Sequence, residues 1–202
     1  ASPTDLTKLY QEFYVPGNMV CAVAGDVQPE QIQKWARQYF GLLEPGPEPG
    51  LVATHEPAHQ GPRQLELSSR AQPFLVRTYP GVSRFDPKAP ALNLLSKILS
   101  HGRTSRLYTA LVQEQSLAAQ IGTHSGYPAD IDPGLFMLYA VPNKGVELSE
   151  LIEGIEDQLE KVRNTPVSQE ELQRAKVQTR ARLIRGLDSN QGLAQKLAKA
   201  QA

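Results

Sequence analysis

Apolar residues follow two rhythms along this chain, and the changes of rhythm mark its elements. From Thr4 to Phe13 the positions Leu6, Leu9, Tyr10 and Phe13 recur at helical spacing. Pro16-Gly17-Asn18 predicts a turn, and Met19 to Ala24 a short apolar strand that stops at Gly25-Asp26. Pro29 suits the first turn of a helix. Ile32, Trp35, Ala36, Tyr39 and Phe40 line its face, and Gly41 closes it. Further on, Gln64 to Ser68 and Phe74 to Tyr79 read as strands. Asp86 and Pro87 predict a helix start, with Asp86 as cap and Ala91, Leu94, Leu95, Ile98 and Leu99 as the apolar stripe up to His101-Gly102. A shorter helix is expected over Thr104 to Glu114. Leu117, Ala119 and Ile121 alternate with Ala118, Gln120 and Gly122, as on a half-buried strand. Gly134 to Val141 is almost all apolar and predicts a central strand covered on both faces. Leu148, Leu151, Ile152, Ile155, Leu159 and Val162 mark another helix. Ser168-Gln169-Glu170-Glu171 is a capping box that opens a last long one, which Gly186 and Gly192 kink or break.

Between these patterned stretches, residues 45–62 are dense in proline and glycine and suit neither a helix nor a central strand. They predict a linker, mostly extended and fairly stiff. Residues 1–44 then form a helix-strand-helix piece, and residues 63–202 a second domain in the order β-β-α-α-β-β-α-α. Strands joined without crossover helices favour antiparallel pairing with helices gathered on one face. The expected class is α+β. The last helix lacks a stop signal, so the second domain is expected to be truncated.

Composition narrows the function classes. Hydrophobic residues make up 40% of the 202 and charged residues 21%, ordinary values for a globular protein. Lys plus Arg equals Asp plus Glu, 21 each, so the balance argues against a nucleic-acid partner, which would want a clustered basic face. No apolar run approaches the length of a membrane span. The lone Cys21 excludes an internal disulfide framework and a cysteine zinc cluster, and its apolar neighbours suggest a buried thiol.

One motif asks for zinc. His55-Glu56-Pro57-Ala58-His59 matches H-E-x-x-H, which binds metal when a helix sets its histidines one turn apart. Pro57 inside the motif and the prolines and glycines around it oppose that helix, so no metal site is expected there. Of the other histidines, His101 is expected to cap a helix end, where the helix dipole favours a cation. His124 lies near Ser125, Asp130 and Asp132, but without a nucleophile elbow. Gly102-Arg103-Thr104-Ser105-Arg106 sets two guanidiniums and two hydroxyls near a helix start, where an anion could bind, though the spacing is not that of a phosphate loop. Glu170, Glu171 and the Arg and Lys residues of the last helix read as a solvated face with i,i+4 pairs. No residue of this chain is assigned a catalytic, cofactor-binding or metal role.

Several phrases in order, over nearly the whole chain, resemble the insulinase/pitrilysin zinc metallopeptidase family, the inverzincins. They are Phe13-Tyr14-Val15-Pro16-Gly17-Asn18-Met19, Val23-Ala24-Gly25-Asp26-Val27 and Tyr39-Phe40-Gly41. After these come Asp86 with its helix, Ser105-Arg106-Leu107-Tyr108, Leu111-Val112, Leu117-Ala118 and Val167-Ser168-Gln169-Glu170-Glu171-Leu172. The resemblance implies homologous α+β domains in tandem. The first carries H-x-x-E-H and a distal glutamate on zinc, and the second lacks the metal. This chain would then hold the tail of a first domain (1–44), a linker and most of a second. Zinc is expected in the N-terminal domain of the parent protein or in a partner, and no H-x-x-E-H occurs here. The implied partners are that N-terminal domain, a homologous half or subunit, and an unfolded peptide substrate. The family's non-catalytic half resembles L-R-x-x-x-x-L-x-Y, whose Arg and Tyr steady the substrate and its oxyanion. Aligning Leu111 and Leu117 places Val112 and Ala119 at those two positions. Neither side chain donates a hydrogen bond. Either this domain belongs to the zinc-bearing half, which takes the pair from its partner, or it belongs to an inactive member with a structural role.

Overall fold

The structure, a computed structural model, describes residues 2–46 and 60–201. The chain divides into two compact units, Ala1–Gln64 with Arg182–Ala202, and Leu65–Ala181.

In the first unit, α1 (Pro3–Phe13) starts at Ser2, whose hydroxyl accepts from the Asp5 N–H while the Asp5 carboxylate accepts from the Ser2 N–H. A 3-10 turn over Pro16–Asn18 follows, then α2 (Pro29–Phe40). Neither α1 nor α2 buries a residue fully. The strand expected over Met19 to Ala24 is not formed. Those residues join no ladder, and Cys21 is exposed, which corrects the expectation of a buried thiol. The physical reason is that a strand exists only with a partner to take its backbone hydrogen bonds, and no described segment supplies one. His55, His59 and most of the expected linker lie outside the described residues.

The second unit carries the sheet. Strands β1 (Leu75–Pro80), β2 (Ala118–Tyr127) and β3 (Leu135–Pro142) run in the spatial order β1-β3-β2, antiparallel throughout. The α+β class with an antiparallel sheet is what the sequence predicts. Gln64 to Ser68 differ, since they carry no ladder. Helix α3 (Ala89–Ser100) begins later than expected. Asp86 does not cap it directly; its carboxylate accepts from the Lys88 N–H at 2.7 Å and makes the turn before the helix. Next comes a π-helix, Tyr108–Glu114, where an α-helix was expected. Its wider turn is sealed by the Gln115 N–H donating to the Ala110 carbonyl at 2.9 Å. Helix α4 (Leu148–Asn164) and α5 (Gln169–Leu187) complete the unit, α5 running on into residues of the first. Beyond Asp188-Ser189 the chain turns into α6 (Asn190–Gln201), where the Ser189 hydroxyl accepts from the Gly192 N–H.

One face of the sheet makes the core. Ile121, Phe136, Leu138 and Ala140 pack with Leu99 of α3, Leu107, Ala110 and Leu111 around the π-helix, and Leu151 and Ile155 of α4. Hydroxyls pin α3 to β2. The Thr123 N–H donates to the Ser100 hydroxyl at 2.7 Å, the Thr123 hydroxyl donates to the Ser96 carbonyl at 2.8 Å, and the Ser96 hydroxyl donates to the Thr123 carbonyl at 2.9 Å. The hydroxyls of Ser96, Ser100 and Thr123 are thus partnered across this part-buried seam.

Candidate functional site

The stretch aligned with the family's substrate-steadying pair lies where the π-helix meets β2. Leu111 is fully buried and Leu117 packs beside it. Both lean on Gly154 of α4: a Cβ there would come within 2.7 Å of Leu117 Cδ1 and 3.0 Å of Leu111 Cδ2. Between the two leucines Ser116 takes φ 54°, a left-handed conformation uncommon for a residue with a side chain. Asn143 holds this corner. Its side-chain amide donates to the Ser116 carbonyl at 3.1 Å, and its N–H donates to the Leu117 carbonyl at 2.8 Å. The ladder then slips by one residue, since Ala118 faces Pro142 and Gln120 faces Val141. Ala119 is the extra residue of that bulge, a device that re-aims a side chain. The corner therefore presents Ala119 exposed and Val112 half-buried. Neither side chain can hold an anion or polarise a carbonyl.

This packing predicts the sign of a substitution. Alanine gains about 1 kcal/mol over glycine within a helix, while forcing a methyl into a filled core costs about 1–3 kcal/mol. Gly154→Ala is therefore expected to destabilise the fold by up to about 2 kcal/mol. Urea unfolding with an unchanged slope checks it, and a stabilised variant would mean that the two leucines yield freely.

Among the described residues the sequence's other candidates gather into no metal-binding group. His124 and Ser125 are successive strand residues and so face opposite sides of the sheet. His101 is the C-cap residue of α3, its N–H donating to the Lys97 carbonyl. In the Gly102–Arg106 stretch, Ser105 is buried and its hydroxyl donates to the Gly102 carbonyl at 2.7 Å. Arg106 is committed to Glu171 through two bonds, Nε to Oε1 at 2.7 Å and a terminal nitrogen to Oε2 at 2.9 Å. Glu171 is thus no solvated-face residue, although Glu170 does lie one turn from Arg174 at 4.0 Å. The same Glu171 closes the capping box of α5, accepting from the Ser168 N–H at 2.8 Å while its own N–H donates to the Ser168 hydroxyl. Arg106 holds the Glu171 carboxyl down at about 2, with Ser168 helping and burial opposing. Sequence reading saw the capping box but missed the guanidinium, 65 residues earlier in the chain.

Zinc does not fit what is described. Among the described residues no group of three or more His, Cys, Asp or Glu side chains could hold a metal ion, and no helix is long and apolar enough to cross a membrane.

Comparison with known proteins points one way. The chain is 26% identical over 194 residues to the zinc protease PqqE of Helicobacter pylori, covering 94% of this chain and 43% of that protein. It is 24% identical over 202 residues to an uncharacterized zinc protease of Streptomyces coelicolor, covering 97% of this chain and 43% of the relative. The chain thus spans less than half the length of these relatives. A crystal structure of a Helicobacter pylori protease superposes with a TM-score of 0.82 at 25% identity, covering 98% of this chain and 49% of that one. The family model described as the peptidase M16 inactive domain matches residues 1–179. By that match the chain belongs to the peptidase M16 family, the insulinase/pitrilysin type, as its inactive domain.

Proposed function

We propose that this chain is the metal-free part of a zinc metallopeptidase subunit. Residues 63–202 form a section of the wall that encloses an unfolded peptide and contacts a homologous partner half. Residues 1–44 belong to a preceding, zinc-bearing domain of the same fold, and 45–62 link the two. The observation that carries this reading is the match of the inactive-domain model to residues 1–179 in a chain whose relatives, more than twice as long, are named zinc proteases. The unpaired run Met19 to Ala24 supports it. That run is apolar at every position, so it suits a strand covered on both faces of a sheet, and its partners are not among the described residues. Val112 and Ala119 support it too, because a domain in the zinc-bearing half takes its oxyanion-steadying groups from its partner.

The test is metal content and cleavage. The purified chain is expected to bind zinc substoichiometrically in equilibrium dialysis and to cleave no unfolded peptide, and His55→Ala changes neither result. Stoichiometric zinc lost in His55→Ala overturns the reading. A reading frame with H-x-x-E-H ahead of Ala1 is expected to cleave unfolded peptide only when residues 63–202 are present. A frame lacking that motif decides for the alternative, a structural or partner subunit of the same fold.

A further inference from the structure

We draw no further inference here: the strongest candidate, the shallow cleft between the last turn of α3 and the start of α5 lined by Lys97, His101, Thr104, Ser105, Glu171 and Arg174, carries nothing, because Arg106 and Ser168 already hold the Glu171 carboxylate, Lys97 and His101 have partners of their own, and among the described residues no buried polar side chain is left without one to point at a ligand.

Discussion

Leu111→Ala is expected to lower the unfolding free energy of the Leu65–Ala181 unit by about 2–5 kcal/mol, the range for a buried leucine cut back to alanine. Leu111 is 0% exposed and sits in the cluster with Leu107, Ala118, Leu151 and Ile155. Its removal leaves a void on a side where Gly154 offers no side chain to fill it. Against a typical total of about 5–15 kcal/mol, such a loss leaves little margin. The neighbouring Val112→Ala provides the contrast. Val112 is only half-buried, so the change is expected to cost about 1 kcal/mol or less. Urea unfolding of both variants checks the pair. Equal losses would mean that the π-helix is not anchored through Leu111, and the argument that this corner fixes the exposure of Ala119 would go with it.

What was legible in the sequence follows from the range of each interaction. The helices over Pro3–Phe13, Pro29–Phe40 and Leu148–Asn164 are written in side chains three and four residues apart, and local periodicity reads such signals well. Strands β2 and β3 were legible as strands with antiparallel pairing, but Gly134 to Val141, read from its apolar run as covered on both faces, has only Phe136, Leu138 and Ala140 in the core and leaves Tyr139 exposed on the other side. Met19 to Ala24 and Gln64 to Ser68 carry strand patterns but form no ladder, since a pattern states only what a strand would bury and not whether a partner is present. The π-helix was read as an α-helix because Leu107, Tyr108 and Leu111 satisfy helical spacing, and the wider turn becomes visible only in i→i−5 hydrogen bonding such as that from Gln115 to Ala110. As for the site, the sequence placed Val112 and Ala119 by alignment, but not the bulge at Ala119 or the left-handed Ser116. Both are backbone responses to Asn143 and β3, more than twenty residues further on. The Arg106–Glu171 pair was hidden for the same reason: each residue also made sense alone, one as an anion contact and the other as a helix cap.

Acid is expected to weaken this protein partly through that pair, in a window set by Glu171. Its carboxyl ordinarily titrates near 4.5 and is held at about 2 in the folded chain, chiefly by the Arg106 guanidinium. A carboxyl whose folded value is depressed stabilises fully above its unfolded value, and that stability is lost as the pH falls through the folded one. The loss attributable to Glu171 therefore runs from about pH 4.5 down to about pH 2. Both side chains are about one-fifth exposed, and a charge-assisted bond of this kind is worth about 1.5–3 kcal/mol before water screens part of it. Arg77 likewise depresses Glu156, and Asn164 and Arg163 depress Glu160, so wild type and variant share an acid slope from those exposed groups. The difference between wild type and Glu171→Gln isolates the pair. At pH 7 the variant is expected to be less stable by about 1–3 kcal/mol, and at pH 2.5 the gap should have narrowed clearly. Arg106→Met should act alike at pH 7, because it leaves the carboxylate with only Ser168 to satisfy it. A gap that stays constant from pH 7 to 2.5 would show that Glu171 acts through packing and capping rather than charge, since neither of those depends on whether its partner is a cation.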